Sequence, residues 1–255
     1  PLQELLQHLI DYKRIDRNIL SGHLDAISVA ASSYSDGDSI AFFQSSSNQS
    51  WQRAKRKGIK TVLTTRHLMA SAAIPLVFPS VKIDNHYFGD GSIHQLSPLS
   101  PPIHLGADKI LIIGVQQPKK DQYYGESEFH PNSATITGHL LDTVFTDSLN
   151  SDLERLERIN NTLEYSNSDK TGLKKVETLL INPSRNFSQI AKNYYYHMPS
   201  AIRFLLRFIG VTRTSESTLM SYILFEKPFT QKLIQIGYQD GLERLDEIMA
   251  FLELD

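Results

Sequence analysis

His86, Asp90 and His94 recur at four-residue intervals around the segment Ile83-Asp-Asn-His-Tyr-Phe-Gly-Asp-Gly-Ser92. On a helix that spacing would bring two imidazoles and a carboxylate to one face, a set that can hold a metal ion. The flanking residues read as hairpin and loop instead, so no metal site is expected there. Taken alone, Asp90-Gly91 after a strand has the chemistry of a plain turn. Gly91, with no side chain, lets the backbone bend sharply beside the acid.

Three other groups could do chemistry or bind. His104 falls in or near a helix leading to an apolar strand, where a structural histidine is the better reading. Lys55-Arg56-Lys57, with Arg53 and the lone Trp51, forms a small basic patch, which reads as solvated surface rather than a nucleic-acid contact. Ala201-Ile-Arg-Phe-Leu-Leu-Arg-Phe-Ile209 sets Arg203 and Arg207 four apart among apolar residues. That pattern suits an amphipathic helix at a lipid surface. It suits better a helix packed on the core with its arginines reaching outward.

The elements that must position these residues follow from periodicity. Leu2, Leu5, Leu6, Leu9 and Ile10 predict an opening helix with one buried face. Ile27 to Ser32 and Ser39 to Phe43 predict strands joined through Asp36-Gly37. Thr64 to Ala73 reads as a helix that Pro75 ends. A second hairpin is expected at Val81 to Phe88, turning at Asp84-Asn85. Gly106 closes a short helix before Lys109 to Val115, which is continuously apolar and β-branched, as a parallel strand covered on both faces would be. Residues 116 to 131 read as a polar loop. A long helix runs from about Thr137 to Leu163, with Leu140, Leu141, Val144, Phe145, Leu149, Leu153, Leu156 and Ile159 as its apolar stripe. Val176 to Ile181 predicts a further strand, and Ser217 to Phe225 and Thr230 to Leu252 the closing helices.

Composition narrows the function classes. With 255 residues and 40% hydrophobic residues, the chain can fill one large core. The 26 Lys+Arg against 28 Asp+Glu leave no net positive field for nucleic acid. The absence of cysteine removes disulfides and thiol chemistry. No apolar run approaches the ~20 residues that span a bilayer, so a soluble or peripheral protein is expected, cytoplasmic or at a membrane surface. The Asn-x-Ser/Thr triplets at Asn48, Asn160 and Asn186 read as chance occurrences. Pro1 enters the first helix directly, with no Met and no leader pattern, which reads as a piece of a longer chain.

Three consecutive stretches carry a specific resemblance: Ala70-Ser-Ala-Ala-Ile-Pro-Leu-Val-Phe-Pro79, Ile83 to Ser92, and Pro98-Leu-Ser-Pro-Pro-Ile-His-Leu-Gly-Ala-Asp-Lys-Ile-Leu-Ile-Ile-Gly-Val115. Together they resemble the second motif block of the patatin-like phospholipase family, in which a short Asp-Gly motif carries the acidic half of a Ser-Asp dyad. Asp90 and Gly91 match that motif, and Ser92 stands where many members carry a second glycine or alanine. Pro1 to Phe43 and Tyr222 to Leu252 resemble the flanking elements of bacterial members, so the resemblance covers nearly the whole chain.

The resemblance implies an α/β, three-layer fold with a mainly parallel central sheet and a helix-rich C-terminal third, whose N-terminal strands lie outside this chain. It implies one domain over 1–255, with residues 1–118 as the sheet core and 119–255 as its mainly helical completion. It also implies a lipid acyl hydrolase of the phospholipase A, lysophospholipase or esterase type. Asp90 would be the general base that takes the proton of a serine hydroxyl and later returns it. Phospholipid or another acyl lipid is the expected substrate, with peripheral membrane contact, and no cofactor is required.

The departure from the family is the nucleophile. Members carry it in Gly-x-Ser-x-Gly, with an oxyanion hole from a glycine-rich loop. No serine among the 255 residues has glycine two positions away on both sides, and Ser71 falls on a predicted helix. These residues alone are expected to be inactive, with the serine upstream of Pro1. Two other readings stand beside the enzyme: a catalytically inactive patatin-like module that binds lipid or protein, and a chain completed by an N-terminal partner. If the first strands are missing, an unpaired sheet edge and apolar surface should be exposed.

Overall fold

The structure, a computed structural model, describes residues 2–75, 78–95, 97–115, 133–165, 172–208 and 219–254, with backbone alone for 133–147, 205, 208 and 219. The expected polar loop at 116–131, the stripe side chains Leu140, Leu141, Val144 and Phe145, residues Ser217 and Thr218, and Ile209 lie outside this description. The class is mixed α/β. The described residues form two compact units, one of residues 1–108 and 148–176, the other of residues 109–147 and 177–255.

The first unit begins with helices α1 (Leu2–Leu9) and α2 (Tyr12–Leu20). It continues through strands β1 (Ala26–Ser33), β2 (Ser39–Ser45), β3 (Trp51–Arg53) and β4 (Arg56–Lys60), then helix α3 (Thr65–Ser71). Strands β5 (Val81–Ile83) and β6 (His86–Asp90) and helix α4 (Ser100–His104) follow. The six strands form one sheet in the order β3-β4-β2-β1-β6-β5.

A mainly parallel sheet is implied by the resemblance, and this sheet differs. Only β2 and β4 pair in parallel, while β1–β2, β1–β6, β3–β4 and β5–β6 are antiparallel. For β1–β2, β3–β4 and β5–β6 the cause is the shortness of the connections, because strands joined by a tight turn must run in opposite directions. Gly37, Lys55 and Asp84, all at positive φ, sit in the three turns. The parallel pair is possible because β3 intervenes between β2 and β4.

All seven residues of β2 are buried, since this strand is covered on both faces. On one face Ile40 and Phe42 join Ala31, Leu63, Ala70, Ile83 and Phe88 in a core closed by α3. Phe42 meets the ring of Phe88 edge-on at 5.3 Å and that of His67 at 4.7 Å. On the other face Phe43 stacks on Trp51, which in turn stacks on His104 of α4 at 4.9 Å. Gly58, beside Trp51, is required, because a Cβ there would lie 2.3 Å from the indole. The helix α1 forms as expected, but none of its residues is buried, and Leu9 is 71% exposed. Among the described residues its main packing is against α3, a helix of seven residues.

In the second unit, β7 (Lys109–Ile113) pairs in parallel with β8 (Glu177–Ile181), the direction expected for β7. The expected coverage of both faces is not seen among the described residues: β7 is half-buried at its centre and Ile113 is 81% exposed. Each strand has one strand partner among the described residues.

Helix α5 (Ser133–Tyr165) supplies residues to both units. The rest of the second unit is helical: α6 (Phe187–Asn193), α7 (Ser200–Phe208), α8 (Leu219–Ile223), α9 (Lys227–Glu243) and α10 (Leu245–Leu252). Their core gathers Ala191, Tyr195, Met198, Leu206, Met220, Leu224 and Phe229. The single closing helix expected from Thr230 to Leu252 is two. Arg244 leaves helical geometry between them, and its guanidinium bonds the Leu180 carbonyl oxygen at 2.7 Å and the Glu247 carboxylate.

Candidate active site

Asp90 ends β6, where Ala31 of β1 is its register partner. Its backbone N–H donates to the Ala73 carbonyl oxygen at 3.0 Å, so the segment after α3 and the Asp-Gly turn are bonded directly. From here the chain enters a 3-10 turn, Gly91–Ile93. The Asp90 carboxylate caps that turn, with Oδ1 accepting from the Ser92 N–H at 3.0 Å and from Ser92 Oγ at 2.5 Å. Among the described residues Oδ2 accepts no hydrogen bond, and the side chain is half-buried.

Two features of the sequence fix this turn. Gly91 is pressed on β1: a Cβ there would lie 2.6 Å from the Ala30 carbonyl oxygen. Ser32, fully buried on β1, donates its hydroxyl to the Gly91 carbonyl oxygen and accepts from the His94 N–H, each at 3.1 Å. A hydroxyl can serve both as donor and as acceptor, so one side chain satisfies two backbone groups that burial would otherwise orphan. Sequence reasoning missed Ser32. Its only signal was a serine at the end of an otherwise largely apolar strand, beside a second serine, Ser33.

Beside the acid, Tyr34 lies across Gly89, where a Cβ would come within 2.3 Å of the phenol oxygen. Beyond the turn, the chain at 97–99 is anchored to α5: the Leu99 N–H donates to the buried Asp152 carboxylate at 3.0 Å.

The other candidates resolve differently. His86 opens β6 and His94 follows the 3-10 turn, so they stand at opposite ends of a strand and a turn from Asp90. Among the described residues no group of three or more His, Asp or Glu could hold a metal ion. His104 is part of the Trp51 stack, and burial, with Arg53 and Arg56 nearby, pushes its pKa down. The basic patch lies on the β3–β4 hairpin. Lys57 is not simply solvated: it bonds Asp38 at 2.8 Å and holds that carboxyl below its ordinary range. Ser71 is the last residue of α3.

On α7, Arg203 donates to the Tyr196 carbonyl oxygen at 3.4 Å, while Leu206 is in the helical core. The helix therefore packs inward on one side with Arg207 exposed on another. The amide nitrogens of Asn48 and Asn160 donate to the His104 and Val176 carbonyl oxygens, and the Asn186 amide oxygen accepts from the Gln189 N–H. No helix among the described residues is long and apolar enough to cross a membrane.

The arrangement offers one fixed carboxylate with one oxygen held and the other open, at the rim of a sheet. A group so placed can take a proton from a hydroxyl brought against it. The chain matches no protein-family model and no curated protein.

Proposed function

We propose that the chain is the acid-bearing part of a patatin-like serine acyl hydrolase that cleaves carboxylic ester bonds of phospholipids or other acyl lipids. The observation that carries this reading is the setting of Asp90. It is a half-buried carboxylate, pinned through its backbone to Ala73, with Oδ2 open among the described residues.

In the reaction, Asp90 accepts the hydroxyl proton of a serine supplied from outside these residues as that oxygen attacks the ester carbonyl. The proton passes to the leaving alcohol as the C–O bond breaks, leaving an acyl-serine. Water then attacks the acyl carbon, giving its proton to Asp90, and the fatty acid leaves as the serine recovers a proton. A serine hydroxyl needs such a base because it is a weak nucleophile at neutral pH. Within this reading the six-stranded sheet is one edge of the family's three-layer core. Helices on both faces of β2 support that assignment.

The test is hydrolysis of a short-chain chromogenic ester and of phospholipid vesicles by the protein extended upstream of Pro1. Turnover by the wild type and none by a folded Asp90→Asn variant supports the reading. No turnover by the wild type on any ester favours a patatin-like module that binds lipid or protein without hydrolysis.

A further inference from the structure

We propose that Ser92 is a positioning residue for Asp90, its hydroxyl fixing the plane of the carboxylate so that Oδ2 faces the reacting serine; this rests on the reading of Asp90 as the base. Both donors from residue 92, the N–H at 3.0 Å and Oγ at 2.5 Å, converge on the same oxygen, Oδ1. The backbone bond alone suffices for the turn, and a glycine at this position would keep it. The hydroxyl therefore adds something the turn does not need.

What it adds concerns χ2. The terminal torsion of an aspartate is broad and nearly two-fold, so a carboxylate held by a single donor can swing or exchange its oxygens. A second donor on Oδ1 from another direction removes that freedom. The backbone beneath is already rigid: Asp90 N–H bonds Ala73, Gly91 is pressed on Ala30, and Ser32 ties Gly91 to His94. The side-chain torsions are then the soft part of the acid's placement, and misplacing a base by about 1 Å can cost on the order of a hundredfold in rate.

Ser92 is unsuited to be the nucleophile itself. It sits in a 3-10 turn two residues from its partner and lacks the glycines of an elbow.

The experiment measures kcat, KM and thermal unfolding for wild type, Ser92→Ala, Ser92→Thr and Asp90→Asn, in the full protein that carries the nucleophile, with a chromogenic butyrate ester. Ser92→Ala is expected to lower kcat about tenfold to a hundredfold, with KM changed by less than about twofold and the unfolding midpoint close to wild type. Ser92→Thr, which restores a hydroxyl, should recover most of kcat. Wild-type kcat in Ser92→Ala beside an inactive Asp90→Asn overturns the role of Ser92 and leaves the base assignment standing. Full activity in Asp90→Asn overturns both. Ser92→Ala as inactive as Asp90→Asn, or a folded Ser92→Thr without recovery, overturns positioning by the hydroxyl. A loss that tracks a lowered unfolding midpoint and a raised KM assigns Ser92 a structural role and overturns the proposal too.

Discussion

The N–H of Asp90 donates to the carbonyl oxygen of Ala73 at 3.0 Å. Through this bond Ala73, two residues beyond helix α3, holds the end of strand β6, and the acid is attached to the sheet core from two sides. Ala73 is buried, so the bond is shielded from water. Shielded backbone bonds of this kind are costly to leave unmade, which makes the end of β6 a stiff platform.

Glycine at 91 is required by packing. Gly91→Ala would force a Cβ to within 2.6 Å of the Ala30 carbonyl oxygen, a backbone atom that cannot turn aside. The variant is expected to lose about 2–3 kcal/mol of stability, read as a lower urea midpoint at unchanged m-value. As a contrast, Gly237→Ala in the exposed interior of α9 meets nothing within 4 Å. It should gain about 0.5–1 kcal/mol from helix propensity.

Ser32 holds the Asp90–Gly91 turn from beneath. Ser32→Ala leaves the Gly91 carbonyl and the His94 N–H without their shared partner in a buried setting. A loss of about 1–3 kcal/mol is expected in equilibrium unfolding. Ser32→Thr, which keeps the hydroxyl but adds a methyl where there is no space, should fall between alanine and wild type.

Acidification should weaken the first unit through two histidines. Burial lowers the pKa of His67 and of His104 below the ordinary 6.5, so the fold prefers both neutral. The unfolded chain therefore binds more protons than the folded one as pH falls through about 6.5, and stability rises with pH across that window. The loss is complete only once the folded pKa values are passed. His67 accepts the Thr64 N–H on Nδ1, and protonation there removes the acceptor at the start of α3. For His104 the fluorescence of Trp51, the lone tryptophan, gives the readout. A transition below pH 6.5 that disappears in His104→Gln is expected; a flat profile in wild type would contradict the stacking.

Much of this fold was legible from sequence, and the gaps have physical causes. Short β-prone runs with turn chemistry at Asp36-Gly37 and Asp84-Asn85 placed β1, β2 and the β5–β6 hairpin, because those signals are local. The β3–β4 hairpin was read as a charged surface patch. Its side chains are cationic, and Trp51 and Gly58 make sense only as a pair brought together by register. Helix α2 passed unnoticed between two stronger patterns, and the α9–α10 break at Arg244 depends on the distant Leu180 carbonyl. At the site, Asp90 and Gly91 stood out through their neighbours in sequence. Ser32 and Ala73 did not, because each acts through a hydrogen bond to a residue far along the chain.

The proposed role of Asp90 as the base of an ester hydrolase is tested by kcat/KM of Asp90→Asn against wild type in the protein extended upstream of Pro1. Asparagine keeps the size and can still accept at Oδ1, so the fold should survive, as circular dichroism and the unfolding midpoint would verify. A loss of at least about a thousandfold is expected, the scale on which acid–base and nucleophilic partners fail together. A folded Asp90→Asn protein that hydrolyses esters at the wild-type rate would contradict it.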